Sequence, residues 1–172
     1  INNGTAFGQM YDIRVRDTDK DFAQVSNLRN ESLTSLDFII IRADPPFDQE
    51  YLHGTQILER AHQAGTRVIN NPQALRDCNE KLFATEFPSL MPKTLVSASH
   101  SEIIEFHATN IDVILKPLDG MGGSGIFHIT KDGINLGAIL EALSPNESHL
   151  IMAQEYRPEI SEGDRRVLVI HG

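Results

Sequence analysis

Cysteine is nearly absent: Cys78 is the single one in 172 residues, so no internal disulfide framework holds the chain, and this agrees with a reducing compartment. No His/Asn pattern points to an activated thiol, and Cys78 reads as a small half-buried residue before a helix. Long hydrophobic runs are missing as well. The longest, such as Phe38-Ile39-Ile40-Ile41, fall far short of the roughly 20 apolar residues that a membrane-spanning helix needs, and no basic-then-apolar leader begins the chain. A cytoplasmic protein without membrane contact is expected. Basic residues are in short supply, since 15 Lys and Arg against 24 Asp and Glu leave a formal net charge of −9. That balance argues against nucleic acid as a partner, because phosphate backbones need an electropositive surface. A small polyanion would need a local cluster of lysine, arginine and backbone N–H groups, and a divalent metal beside it. With 40% hydrophobic and 23% charged residues, the chain has the apolar content of a globular protein with one core or two small ones.

Glycine is where the sequence becomes specific. Gly120-Met121-Gly122-Gly123-Ser124-Gly125 fits the spacing of a dinucleotide-binding loop, but that motif requires a helix N-terminus after it to hold the pyrophosphate. Here Ile126-Phe127-His128-Ile129-Thr130 follows, β-branched and aromatic, which predicts a strand. No Gly-Lys-Ser/Thr triplet closes the loop, so it is not a P-loop either. Two readings stay open. One is a strand-loop-strand flap whose backbone N–H groups approach a phosphate, with Lys116 as a nearby point charge; the other is an ordinary glycine-rich hairpin beside an exposed lysine.

Before this loop the patterning predicts a parallel βαβ unit. The segment from Ile1 to about Leu33 is polar and weakly patterned, with Tyr11 to Arg16 alternating like a strand. Leu36 to Arg42 reads as a buried parallel strand, followed by a rigid loop around Pro45-Pro46. A helix is expected from Gln49 to Ala64, capped by Asp48, burying Tyr51, Leu52, Thr55, Leu58 and Ala61, and stopped by Gly65. Thr66 to Asn70 returns as a strand. Arg42 and Asp44 then follow the carboxyl end of a parallel strand, where ligands of such sheets bind, or they pair with each other and cap the loop. Asn71-Pro72 opens a short helix. A second helix is expected from Asn79 to Glu86, with Leu82, Phe83 and Phe87 inward. Lys81 in its first turn would be disfavoured by the helix dipole; an anionic partner or simple solvation would explain it.

From Thr94 the expected order is strand (Thr94 to Ala98), helix with a Ser99/Glu102 capping box, strand (Asp112 to Pro117), glycine loop, strand (Ile126 to Thr130), helix (Ile134 to Leu143) and strand (His149 to Gln154). That is a small α+β module with helices on one face and the flap as its central hairpin. Arg165 to Ile170 is expected to be a further strand. Ile1 is no initiator methionine and a final strand would lack a partner, so the expectation is an internal piece of a longer protein.

Lys81, Lys116, the Gly120–Gly125 loop, the run Met152-Ala153-Gln154-Glu155-Tyr156 and Asp164 follow one another in the order expected for the parts of an ATP site. In those residues the sequence resembles the ATP-grasp superfamily. Arg42-Ala43-Asp44-Pro45-Pro46-Phe47-Asp48, Asn70 to Leu82, Ile114 to Gly123 and Gly163 to Val169 resemble, more closely, the bacterial glutathione synthetase family within it. The resemblance covers most of the chain from Leu36 to Gly172 and is weak before that.

The resemblance implies an α/β protein. Residues 1–76 would be part of a parallel-sheet, substrate-side N-terminal domain, 77–156 an α+β ATP-grasp lid, and 157–172 the first strand of a catalytic domain. It implies a carbon–nitrogen ligase that joins γ-glutamylcysteine to glycine with ATP and Mg²⁺ through an acyl phosphate, working as a homo-oligomer when full-length. Lys81 and Lys116 would hold phosphates, with Gly120, Gly122, Gly123, Ser124 and Gly125 closing over them. Gln154, Glu155 and Tyr156 would line the adenine pocket, and Asp164 would hold the ribose. Arg166 would serve catalysis by facing the phosphate or the substrate carboxylate, and Arg42 and Asp44 would bind substrate. The family's metal ligands lie downstream of this chain, so no metal ligand is assigned and the piece alone is expected to be inactive. The alternatives are another ATP-grasp carboxylate–amine ligase, of the protein-glutamate or D-Ala–D-Ala type, and a non-catalytic nucleotide-binding module.

Overall fold

The computed structural model of the chain describes residues 1–44, 46–165 and 167–169. It divides into two compact units, Ile1–Asn79 and Glu80–Gly172.

The first unit begins with a hairpin that the weak patterning of its sequence hides. Strands β1 (Phe7–Val15) and β2 (Ala23–Ser32) pair antiparallel, with a register shift between Met10 and Asp12. Tyr11, Ile13 and Val15 alternate along β1, and Val25 stands opposite Ile13, so one face carries an exposed apolar ridge. The parallel βαβ unit follows: β3 (Phe38–Ile40), α1 (Gln49–Gln63) and β4 (Arg67–Ile69), with β3 and β4 paired in parallel. Asp48 caps α1 by accepting from the Tyr51 N–H at 2.9 Å, and Gly65 ends it at φ +109°, a conformation that suits glycine. Ala61 and Thr55 are buried on its inner face.

One expectation fails here: the strand is not buried. Phe38 and Ile40 are 56% and 57% exposed, because this sheet has two strands and the small core of Ala6, Leu33 and Ala61 packs against Ile39. Asn71 caps α2 (Pro72–Asp77) as expected, accepting from Gln73 and Ala74.

The second unit opens without the expected α-helix. Residues 80–82 form a turn, and Phe83–Glu86 and Pro88–Leu90 are single 3₁₀ turns. Phe87 precedes Pro88, which pushes it out of the helical region to φ −120°, ψ 59°. Leu82, Phe83 and Phe87 are consequently exposed rather than inward, and Lys81 lies in a turn rather than in the first turn of an α-helix.

Strands β5 (Thr94–Ser97), β6 (Val113–Pro117), β7 (Phe127–Ile129) and β8 (Ile151–Glu155) form one antiparallel sheet in the order β5-β8-β6-β7. The β6–β7 hairpin, central in sequence, therefore lies at one side with β7 on the edge. Helices α3 (His100–Asn110) and α4 (Leu136–Leu143) supply Ile103, Leu136 and Leu140 to a core with Val113, Leu115, Ile129, Ile151 and Ala153. The Ser99 cap of α3 accepts from Glu102 N–H, while the Glu102 carboxylate accepts from Ser97 Oγ at 2.6 Å, and that hydroxyl accepts from Ser99 N–H. The capping box is thus relayed through Ser97 instead of closing directly.

After β8 a 3₁₀ segment spans Pro158–Glu162. Among the described residues 163–165 and 167–169 there is no strand, contrary to expectation, and Val167, Leu168 and Val169 are exposed. A β-like sequence forms a strand only against a partner's ladder, and no described segment pairs with this one.

Candidate functional site

Strand alternation decides which residues of the second sheet can meet a ligand. Val113, Leu115, Ile129, Ile151 and Ala153 point into the helix-covered core, so the residues between them face the other way. On the face turned away from the helices stand Thr94 of β5, Ile114 and Lys116 of β6, His128 of β7 and Gln154 of β8, with Thr94, Gln154, Ile114 and His128 in one cross-strand row.

A cavity of about 290 Å³ lies over this face, lined in part by Ile114, Lys116, Ile126, Gln154, Tyr156 and Ile160. Apolar side chains make most of its wall, and the convergent polar groups are few, which is the usual make-up of a small-molecule pocket. Lys116 Nζ donates to Gln154 Oε1, and Gln154 Nε2 donates to Thr94 Oγ1 at 2.9 Å. Burial, and then the charge of Lys81, hold the Lys116 pKa below its ordinary value. An ammonium in that state gains more than a solvated one from an anion brought beside it. A larger cavity of about 380 Å³ lies beside the 3₁₀ turns, among Leu82, Thr85, Pro88, Met91 and Thr94. It contains neither the glycine loop nor Lys116, so it is less suited to a phosphate ligand.

Lys81 reaches the glycine loop itself. Its Nζ donates to Gly120 O at 2.5 Å and Leu118 O at 3.4 Å, and lies 3.3 Å from Glu80 Oε1. Within the loop Ser124 N–H donates to Met121 O, across Gly122 and Gly123 at φ +62° and +81°. Two successive left-handed residues make a tight reversal that glycine adopts without strain. Gly125, at φ +71°, backs onto Pro117, whose Cγ would lie 3.0 Å from an added Cβ. The loop keeps Ser124 and its first three glycines toward solvent or nearly so, open to an incoming anion.

The structure therefore brings Lys81, Lys116, the Gly120–Gly125 loop, Gln154, Glu155 and Tyr156 together in one unit. Glu155 pairs with Arg157 at 3.1 Å. Asp164 is exposed and is not among the cavity-lining residues, and Arg166 lies outside the described residues. Arg42 and Asp44 follow the end of β3 in the other unit, both exposed, and among the described residues no hydrogen bond or ion pair joins them. Sequence reasoning passed over Thr94, which orients Gln154, and the lining residues Ile114, Ile126 and Ile160. The first two could have been found by extending the two-residue period of β6 and β7 to the face turned away from the helices; Ile160 is placed by an irregular turn with no such signal. Among the described residues no group of three or more His, Cys, Asp or Glu side chains gathers as a metal site, and no helix is long and apolar enough to cross a membrane.

Residues 80–172 match the prokaryotic glutathione synthetase ATP-grasp domain, and residues 1–76 match the prokaryotic glutathione synthetase N-terminal domain. The chain is 45% identical over 172 residues to the glutathione synthetase of Photorhabdus laumondii, covering 100% of this chain and 54% of that relative. With the glutathione synthetase of Yersinia pestis it shares 55% identity over 140 residues, covering 81% of this chain and 44% of that relative. The chain thus spans about half the length of the curated relatives it matches. Its fold resembles the crystal structure of the D-cycloserine synthetase DcsG with a TM-score of 0.58 at 14% identity, over 74% of this chain and 46% of that one. That likeness concerns the fold alone. The two domain matches together cover nearly every residue, and the chain belongs to the prokaryotic glutathione synthetase family.

Proposed function

We propose that the full-length protein joins γ-glutamylcysteine to glycine with ATP, and that the second unit described above is its nucleotide site. The observation that carries this reading is the single sheet face on which Lys116 and Gln154 adjoin an apolar cavity, with Lys81 tied to the glycine loop close by. The cavity suits a flat, apolar base, and the two ammonium groups suit the phosphates.

In the proposed reaction a dipeptide carboxylate oxygen attacks the γ-phosphorus and ADP leaves. The glycine amine then attacks the acyl phosphate carbonyl and inorganic phosphate departs, the amine losing its proton as the amide forms. The chain's own residues bind and orient. Lys116 and Lys81 offset phosphate charge, Gly120, Gly122, Gly123, Ser124 and Gly125 cover the phosphates, and Gln154, Glu155 and Tyr156 hold the base. Asp164 would reach the ribose and Arg166 the reacting groups, while Arg42 and Asp44 belong to the dipeptide side. Positioning and charge neutralisation supply most of the rate in such transfers. Magnesium, when bound, would supply further neutralisation of the phosphate charge. The described residues gather no carboxylate set that fits it, and this reading assigns its ligands to the part of the family's length not spanned here.

The same reading takes residues 1–76 as a substrate-side domain, 77–156 as the lid and 157–172 as the start of the catalytic domain, in a cytoplasmic homo-oligomer. Association is supported by the exposed ridge of Tyr11, Ile13, Val15 and Val25, an apolar surface of the kind that copies of a chain bury against each other.

The test is ADP release by the full-length protein. Sustained release is expected only with γ-glutamylcysteine and glycine both present, and equal release with D-alanine or glutamate as sole acceptor overturns the assignment.

A further inference from the structure

We infer that His128 is a positioning residue of the nucleotide site, bracing the Tyr156 ring that walls the base cavity. The inference rests on reading that cavity as the base pocket. His128 is not among the residues lining it, so it acts through Tyr156.

The geometry is a closed set of contacts. The His128 and Tyr156 rings stack with centroids 4.0 Å apart and planes 21° from parallel. His128 Nε2 lies 3.3 Å from Asp112 Oδ2, and Asp112 is held in turn, its Oδ1 accepting from Lys131 N–H at 2.9 Å. The Asp112 carbonyl accepts from Tyr156 N–H at 3.0 Å. Asp112 thereby fixes both partners of the stack, one through its side chain and the other through its backbone.

Position in the sheet explains why such a brace is needed. Tyr156 follows the last residue of β8, past the Val113–Glu155 pair that ends the β6–β8 ladder, so strand pairing does not constrain its side chain. His128 is the middle residue of the edge strand β7 and faces Ile114 across the ladder. It stands on the same sheet face as Lys116 and Gln154 and closes that face on the side away from Thr94. Aromatic stacking restricts the ring that a planar base would meet, so the wall is set before the nucleotide arrives.

The experiment compares two ligands in the full-length protein, ADP and inorganic tripolyphosphate, by titration calorimetry. His128→Ala is expected to weaken ADP about 2- to 10-fold, the scale of one aromatic stack, while tripolyphosphate, which has no base, binds as in the wild type. His128→Phe, which keeps a ring but not the Asp112 contact, is expected to recover most of the ADP affinity. Equal ADP binding by wild type and His128→Ala overturns the proposal. An equal loss for both ligands also overturns it, since that marks a general structural role. Failure of the wild type to bind ADP at all overturns the reading of the site itself, and this inference with it.

Discussion

Lys116 donates a hydrogen bond to Gln154 diagonally across the β6–β8 ladder, and the other end of the same amide donates to Thr94 at 2.9 Å. The two contacts leave only one orientation of the amide: oxygen toward the ammonium, nitrogen toward the hydroxyl. Gln154 is 8% exposed, so an unpaired donor there has little water to turn to. Thr94→Val is therefore expected to cost about 1–2 kcal/mol of stability, read as a lower urea midpoint, and to weaken nucleotide binding by loosening Gln154. An unchanged midpoint would show that the amide finds another acceptor.

Lys116→Ala removes the ammonium nearest the cavity. A charged hydrogen bond to phosphate is worth ~1.5–3 kcal/mol, so ADP affinity should fall about 10- to 100-fold with the far-ultraviolet circular dichroism unchanged. Wild-type affinity in that variant would leave Lys116 as an ordinary sheet lysine.

The depressed pKa of Lys116 makes a pH-dependent prediction. Burial is the larger cause and the charge of Lys81 the smaller. Because the unfolded chain binds this proton more tightly than the folded one, the protein carries a penalty below the lowered value. Stability rises as pH climbs from there toward the ordinary lysine value. A bound phosphate favours the ammonium and pulls the pKa back up. Nucleotide affinity should then fall as pH rises through the lowered value, with proton uptake on binding, seen as a buffer-dependent calorimetric heat. In Lys116→Met both the slope and the uptake should vanish.

Gly122 and Gly125 both have positive φ, but they differ in surroundings. An added Cβ at Gly122 meets nothing within 4 Å, whereas at Gly125 it lies 3.0 Å from Pro117 Cγ. Gly122→Ala should cost only left-handed backbone strain, about 1 kcal/mol, and Gly125→Ala distinctly more. Thermal melts of the two variants test the order, and a reversed order would mean that the loop relaxes away from Pro117.

In the first unit, Arg76 of α2 joins Glu59 of α1 at 2.6 Å and Thr55 Oγ1 at 3.2 Å, with only 17% and 26% of the Arg76 and Glu59 side chains exposed. Arg76→Ala strands a half-buried carboxylate and should destabilise this unit by about 1–3 kcal/mol. Replacing Arg76 and Glu59 together by Met and Leu should recover part of that loss; denaturant titrations of both variants decide.

Sequence by itself determined the elements whose signals are local. Asp48 and Gly65 bound α1, Asn71-Pro72 opens α2, and the strand following Gly125 excludes a dinucleotide fold, because caps, left-handed turns and side-chain periodicity act over a few neighbouring residues. The lysines and glycine loop of the candidate site were legible in the same way, through residue type and order. Tertiary structure decided what depends on partners far along the chain. Phe38 and Ile40 look like core residues, yet stay exposed in a sheet of two strands; residues 167–169 look like a strand, yet no described segment pairs with them. The β5-β8-β6-β7 order placed Thr94 against Gln154 and His128 beside Tyr156, contacts spanning 60 and 28 residues of sequence. A two-residue period says that a strand has two faces. Only the packing of α3 and α4 onto one of them decided that the other would border the cavity beside Lys116 and Gln154.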